Sequence, residues 1–191
     1  MELALSISLG IGLSAACGFR IFVPLLVMSF AANAGHINLS DGFDWIATWP
    51  AFVCFLTATI LEIAAYYIPW LDNLLDTVAT PAAVVAGTII TAAVITDMSP
   101  LMKWSLALIA GGGTAGVIQA SSVALRGTSS LATGGLANFA VASTELAASL
   151  TTTILSLLLP LLTALAVVTL IVTLLFWLPR RLRPVSEHTP A

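Results

Sequence analysis

Two glutamates lie inside long apolar runs of the sequence. Glu62 sits in the run Pro50–Ile68, Glu145 has a comparable place in a later run, and both begin a Glu-Ile/Leu-Ala-Ala pattern. Helix rise of about 18 Å from Pro50 would place Glu62 near the middle of a bilayer. A carboxylate there needs a water-filled cavity, an arginine or a proton to accompany it. The two glutamates are therefore the first candidates for an ion or proton pathway, near one another or at a shared cavity.

Arg20 lies inside the first apolar segment and Arg126 at the end of the fourth. A charged side chain at the centre of a membrane helix costs about 2.5–3.5 kcal/mol, so we expect Arg20 to be buried beside a carboxylate, with Glu62 as the first candidate. Two alternatives stay open: a Glu–Arg pair that only fixes helix packing, and an Arg20 that extends to the membrane interface.

Further polar residues follow the second and fourth apolar runs. Asp72 and Asp76 are four residues apart, so in a helical turn they and Asn73 share one side and would attract cations. Solvated loop acids are the ordinary alternative. In the second half, Thr133 and Asn138 offer uncharged ligands beside Arg126, and Gly134 and Gly135 between them allow a close approach of the backbone.

The composition excludes most other functions. Hydrophobic residues make up 59% of the 191 residues and charged residues 8%, which indicates an integral membrane protein in a lipid bilayer. Six Lys and Arg against nine Asp and Glu give no nucleic-acid surface. No hydrolase or metalloprotease motif occurs, and the cysteines and histidines form no metal-ligand pattern, so we predict no enzyme, no cofactor and no metal.

The elements that must position these residues are transmembrane helices. We predict an all-α polytopic bundle, one transmembrane domain over residues 1–178 with a cytoplasmic polar tail at 179–191. About six spans are expected: Leu3–Ala32, Pro50–Ile68, Thr77–Thr96, Pro100–Leu125, Leu136–Thr152 and Ile154–Leu178. The fifth is short and polar, and residues 131–152 could instead form a re-entrant half-helix.

Several helices are expected to break. The first segment, at about 45 Å of helix rise, is too long to cross upright and must tilt or break. The breakpoints indicated by glycine and proline are Gly18, Pro24, Pro81, Gly134 and Gly135.

Arg180, Arg181 and Arg183 follow the last span, which predicts a cytoplasmic C-terminus, and six crossings then place the N-terminus on the same side. This layout permits an inverted repeat of residues 1–97 and 98–178. Small-residue faces at Ser14/Gly18 and Gly112/Gly116 predict close helix packing and a homo-oligomer.

The polar residues and glycines together resemble the bacterial membrane-protein family catalogued as domain of unknown function 4126, over roughly Leu9 to Leu178. The residues that carry the resemblance are Gly18-Phe19-Arg20, Pro24, Leu61-Glu62, Pro69, Asp72, Leu75-Asp76, Thr80-Pro81, Gly111-Gly112-Gly113, Thr133-Gly134-Gly135, Asn138 and Glu145. The resemblance implies a location in the bacterial cytoplasmic membrane and names no substrate.

The acidic residues within and beside the spans outnumber the arginines there, which favours a transporter or channel for a cation or proton. An alternative is that Arg20 and Arg126 bind or translocate an anionic lipid headgroup or a phosphate-bearing solute. A structural membrane protein without transport is the second alternative.

Overall fold

In a computed structural model, the described residues, 2–96 and 98–181, form seven α-helices and no β-strand. The side chains of residues 69, 70, 72, 73 and 177–181 are outside the description. The helices are α1 (Glu2–Phe19), α2 (Phe22–Asn33), α3 (Trp49–Tyr66), α4 (Pro69–Val94), α5 (Pro100–Thr133), α6 (Asn138–Leu158) and α7 (Pro160–Arg181). A short 3-10 turn, Asp44–Ala47, precedes α3, and Ala107–Gly112 forms a π-helical segment within α5.

The predicted all-α polytopic membrane bundle is confirmed. Five described helices are long and apolar enough to cross a membrane: α1, α3, α5, α6 and the part of α4 from Leu74 to Val94. The apolar stretches Phe22–Asn33 and Pro160–Phe176 are shorter. α6 has 21 residues, the length of a span, which does not favour a re-entrant half-helix there.

The first predicted span breaks at Arg20 and Ile21, between Gly18 and Pro24. Gly18 lies in the last turn of α1, where a Cβ atom would come within 2.6 Å of Ile118, so close packing requires the glycine. Pro24 lies in the first turn of α2, where a missing N–H costs no helical hydrogen bond. The first segment breaks, but at Arg20 and Ile21 and not at the predicted Gly18 or Pro24, which both lie within helices.

The chain reverses direction at this break. Gly10 of α1 contacts Thr91 and Ser14 bonds to Gly87, so α1 runs antiparallel to α4. The ring of Phe30 in α2 lies 6.2 Å from that of Phe52 at the start of α3, whereas the first residues of α2 contact the end of α3. α1 and α2 therefore form a helical hairpin whose tip is Arg20.

α1 is the central helix, because it packs against α4, α5, α6 and α7. Its glycines and serine let neighbouring backbones approach closely, the packing that stabilises helix pairs in lipid. Gly87 and Gly111 make a similar contact between α4 and α5. The predicted faces at Ser14/Gly18 and Gly112/Gly116 are thus used within the chain, which leaves the predicted homo-oligomer without that support.

The helix directions alter the predicted topology. Gly12 of α1 contacts Thr163 and Ala15 packs near Val167, so α7 runs parallel to α1. The described ends, Glu2 and Arg181, consequently lie at opposite ends of the bundle. These directions do not support the prediction of both termini on one side, which counted the hairpin as one crossing.

The same contacts affect the predicted inverted repeat. Gly18 of α1 meets Ile118 of α5 while Gly10 of α1 and Gly111 of α5 both contact Thr91, so α1 and α5 run parallel instead of in opposite directions. α2 to α4 do run opposite to α5 to α7, and the repeat itself stays a prediction.

Other boundaries differ from those predicted. α4 continues through Pro81, so the predicted break there was wrong; helices in membranes tolerate an internal proline. α5 continues past the predicted end of the fourth span at Leu125, so Arg126 lies within this helix. The predicted break at Gly134 and Gly135 is confirmed, because this helix ends there. Their φ angles are +62° and +88°, a left-handed backbone conformation that glycine adopts more readily than other residues. Leu159 separates α6 from α7, six residues later than predicted.

Candidate functional site

Glu62 of α3 caps the N-terminus of α2. Its Oε1 accepts a hydrogen bond from the backbone N–H of Ile21 at 2.8 Å, and its Oε2 accepts one from Phe22 at 3.1 Å. The first N–H groups of a helix have no partner within it, and α2 has no side-chain cap of its own. A carboxylate is also favourable at the positive end of a helix. Glu62 therefore holds the α1–α2 hairpin closed.

Glu145 of α6 binds two arginines and a serine. Arg126 donates from Nε to Oε1 at 3.1 Å and from a terminal nitrogen to Oε2, and Ser122 donates to Oε1. A terminal nitrogen of Arg20 lies 3.4 Å from Oε2. All four side chains are buried.

The predicted acidic partner of Arg20 is thus present, but it is Glu145 and not Glu62. The backbone N–H groups after Arg20 occupy both oxygens of Glu62, and the tip of the hairpin turns the guanidinium towards α6. Arg20 is 1% exposed, so it does not extend to the membrane interface.

The guanidinium of Arg20 has unused hydrogen-bond donors. One terminal nitrogen donates to the carbonyl oxygen of Ala142 at 2.8 Å, while Nε and the other terminal nitrogen have no hydrogen-bond partner among the described residues. Its Cζ lies 3.9 Å from the ring centroid of Tyr66, a cation–π distance. Part of its charge is therefore balanced by an aromatic ring instead of by an acceptor.

Arg126 joins the cluster to α4 and α3. A terminal nitrogen lies 3.2 Å from Oδ1 of Asp76, whose side chain is 12% exposed. Its Cζ lies 4.0 Å from the centroid of the Tyr66 ring. We call Asp76, Arg126, Glu145, Arg20 and Tyr66 the charge cluster. Four helices and the turn between α1 and α2 supply its members, so any movement between these elements must change its contacts.

The described cluster and the capping glutamate together carry a net negative charge. Arg20 and Arg126 contribute two positive charges, and Glu62, Glu145 and Asp76 contribute three negative ones, which leaves one formal negative charge. The helix dipole offsets part of it at Glu62. Charges taken out of water are tolerated when they are paired and hydrogen-bonded, and each of these side chains has at least one such contact.

Thr133 and Asn138, two other predicted site residues, form hydrogen bonds at the turn between α5 and α6. Thr133 donates to the carbonyl oxygen of Ser129 and accepts from the N–H of Ala137, and the amide of Asn138 donates to Ser130. Both residues close the turn between α5 and α6. The side chains of Asp72 and Asn73 lie outside the described part of the chain, as does the tail after Arg181.

Glu62 and Glu145 both reach the hairpin tip, through different groups. Glu145 contacts the side chain of Arg20, and Glu62 contacts the backbone of the two residues that follow it. The two glutamates therefore meet the same hairpin tip, as the prediction of a shared region expects, but they do not share a binding partner there. The inverted repeat that would relate them stays a prediction.

Sequence reasoning missed Tyr66 and Ser122. Tyr66 lies four residues after Glu62, and Ser122 lies four residues before Arg126, so each shares a helix face with a residue already singled out. Spacing along the helix was the signal that could have found them.

A sequence model of the family described as "Domain of unknown function (DUF4126)" matches residues 7–180. The match covers most of the chain, and the chain belongs to this family. Neither the comparison with curated proteins nor the comparison with solved structures finds a match.

Proposed function

We propose that the protein moves a proton or a small cation across the membrane through the charge cluster. The observation that carries this proposal is a largely buried cluster in which two arginines are paired with Glu145 and Asp76, with Glu62 at the same hairpin tip. The five described charged side chains together carry one excess negative charge. A single proton or monovalent cation would balance that charge. Uncompensated charge is costly in a membrane interior, so binding one such ion is the electrically favoured change.

Glu145 is the proposed ion-binding group, because it is the described carboxylate whose loading would change the partners of both arginines. Protonation of Glu145 would remove its attraction for both guanidiniums. Arg126 then keeps Asp76 as its acidic partner, and Arg20 keeps the carbonyl oxygen of Ala142. Loading Glu145 would therefore remove the link between α5 and α6 and leave Arg126 held to α4, a change between helices of the kind that alternating access requires.

Asp76 is the proposed entry to the network, since it is the most exposed of the acidic members. At 12% exposure it is the place where an ion from that end of the bundle would first meet a carboxylate. The other members are almost completely buried, so the described conformation is an occluded one.

We propose the bacterial cytoplasmic membrane as the location, with the end of the bundle that bears Arg126 and Arg181 on the cytoplasmic side. Positive residues favour that side. Because Glu2 lies at the other end of the bundle, the N-terminus would then face outward. Homo-oligomerisation stays a prediction.

Flux across vesicles that contain the purified protein tests the function. An imposed pH gradient or Na⁺ or K⁺ gradient should dissipate faster than in empty vesicles, and Glu145→Gln should lower that rate at least tenfold. Asp41→Asn, which removes an exposed loop carboxylate, is the matched control and should leave the rate unchanged. Equal rates with and without protein for all three ions would overturn the proposal.

The second candidate is an anionic headgroup or phosphate-bearing solute bound at Arg20. The unused donors of Arg20 favour it. The commitment of Arg126 to Glu145 and Asp76 counts against a site built from both arginines. Vesicles with and without anionic lipid, together with inorganic phosphate, distinguish this candidate: it requires a stabilisation by anions that Arg20→Leu abolishes.

A further inference from the structure

The ring of Tyr66 contacts the guanidiniums of both arginines in the charge cluster. Cζ of Arg20 lies 3.9 Å from the ring centroid, and Cζ of Arg126 lies 4.0 Å from it. Tyr66 is 4% exposed, and a cation–π contact that is shielded from water stabilises more than one at an exposed site. Glu145 also contacts both guanidiniums. The two arginines therefore share one charged partner and one aromatic partner.

Tyr66 is the last residue of α3, and contacts on either side of it fix where its ring lies. Glu62, one helical turn earlier, accepts two backbone hydrogen bonds from the start of α2 and so ties α3 to the hairpin tip that bears Arg20. A hydrogen bond of 2.8 Å joins the hydroxyls of Tyr67 and Ser143, which ties the same end of α3 to α6. The ring is thus held from two sides, by the hairpin tip and by α6.

Arg20 depends on the ring more than Arg126 does. Nε and one terminal nitrogen of Arg20 have no hydrogen-bond partner among the described residues, and the residue is 1% exposed. A buried cation whose donors lack acceptors is costly. Arg126, in contrast, has Asp76 as a second acidic partner. The face of the Tyr66 ring is therefore the group that offsets part of the charge of Arg20 when Glu145 does not.

Loading of Glu145 makes the ring more important to both arginines. A proton or a cation on this carboxylate cancels the negative charge that the two guanidiniums share, whereas the face of the ring keeps its negative potential. The free energy of the loaded state then depends on how strongly the ring attracts the two cations. A ring with a less negative face should therefore weaken ion binding at Glu145.

We infer that Tyr66 is a positioning residue: its ring holds both guanidiniums in place when Glu145 is neutralised, and it thereby sets the ion affinity of the site. The inference rests on the proposed function in that Glu145 is the ion-binding group. The role belongs to the face of the ring and not to the hydroxyl, so Tyr66→Phe should transport the ion as the wild type does. A folded Tyr66→Phe protein without flux would assign the role to the hydroxyl and overturn the inference.

Fluorinated phenylalanines at position 66 test the face of the ring. Fluorine withdraws electrons from the face and changes the size of the ring little, so phenylalanine, difluorophenylalanine and trifluorophenylalanine attract cations progressively less. Flux into vesicles is measured over a range of concentrations of whichever ion, H⁺, Na⁺ or K⁺, the wild type moves. We expect KM for that ion to rise at each step, by about tenfold at the last, with a smaller change in the maximal rate. A constant KM along the series would overturn the inference.

Denaturant unfolding of the same proteins tests the contact without any transport. Glu145→Gln imitates the neutral, loaded carboxylate, so fluorination at position 66 should lower the unfolding midpoint about twice as much in Glu145→Gln as in the protein with Glu145. Phe55 of the same helix, whose ring lies 6.1 Å from that of Trp45, is the matched control. The same fluorinated residues there should lower the midpoint equally with and without Glu145. Equal losses at position 66 would mean that the ring only fills space, which contradicts the inference.

The two measurements separate this inference from the proposed function. Flux through the wild type with an unchanged KM along the series sinks the role of Tyr66 and leaves the ion pathway. Absence of flux sinks the pathway, and the unfolding comparison then decides whether the ring supports both arginines when Glu145 is neutral. A larger loss in Glu145→Gln keeps that support, and equal losses remove it.

Discussion

Glu62 and Glu145 begin the same local sequence pattern and are both buried, yet they have different partners. Backbone N–H groups at the start of a helix surround Glu62. The side chains of two arginines and a serine surround Glu145. A buried carboxylate can thus accept hydrogen bonds from the backbone or form ion pairs with arginines. Only in the second arrangement can an incoming ion change which charged side chains are paired.

The difference follows from where the chain breaks. The reversal at Arg20 and Ile21 leaves N–H groups without partners beside α3, and a glutamate there satisfies two of them. α6 faces the other side of the same break, where the guanidinium of Arg20 points. The reversal between α1 and α2 therefore determines the partners of both glutamates.

Removing Glu145 should have the largest effect on stability. In Glu145→Leu both arginines lose a buried partner, and breaking a buried ion pair typically costs about 3–5 kcal/mol. Denaturant unfolding in mixed micelles measures the loss. Asp41→Leu, at an exposed carboxylate, should change the free energy of unfolding by less than about 0.5 kcal/mol.

The pairing itself can be isolated with a double variant. Arg126→Met together with Glu145→Leu should be more stable than Glu145→Leu alone, because one uncompensated charge is removed. If the two changes are simply additive, the carboxylate and guanidinium do not act as a pair, and the contrast with Glu62 weakens.

Truncating Glu62 should have a smaller effect. Glu62→Ala removes a helix cap, and such losses cost about 0.5–2 kcal/mol. The amides of Ile21 and Phe22 should exchange with deuterium faster, since they lose their acceptor. Leu61→Ala, the neighbouring exposed residue, is the control and should leave exchange at these amides unchanged.

Neutralising Asp76 should have the smallest effect on stability. Arg126 keeps Glu145 as a partner and Asp76 is partly exposed, so Asp76→Asn should cost less than about 1 kcal/mol. Its effect on transport should be larger, with slower flux at low ionic strength, where a carboxylate at the entry concentrates cations most. An Asp76→Asn protein with wild-type flux at every ionic strength would remove Asp76 from the pathway.

The hydropathy of the sequence and the positions of glycine and proline were enough to predict the all-α membrane bundle. The same pattern pointed out the polar residues that are candidates for the site. Long apolar runs require helices in lipid, and the break at Gly134 and Gly135 was predicted correctly, whereas the first break lies between the predicted Gly18 and Pro24. Pro81 was misleading because a proline within a membrane helix does not by itself end the helix.

The sequence did not predict which charged side chains pair with one another in the site. Proximity in sequence favoured Glu62 for Arg20, but the reversal at Ile21 turns the guanidinium towards α6, 122 residues away at Ala142. A hairpin and a single tilted span have the same hydropathy, so the sequence did not predict the reversal or the positions of the termini. Side-chain pairing between distant helices depends on that reversal.

Proton flux through Glu62→Gln and Glu145→Gln tests the central claim most directly. Both variants remove one carboxylate and keep a side chain of the same size, and vesicles that contain equal amounts of folded protein are compared under the same pH gradient. We expect Glu62→Gln to keep at least half of the wild-type rate, because one amide oxygen still accepts from the start of α2, and Glu145→Gln to lose at least nine-tenths of it. Equal losses in the two variants, or a loss confined to Glu62→Gln, would contradict the assignment of the ion site to Glu145.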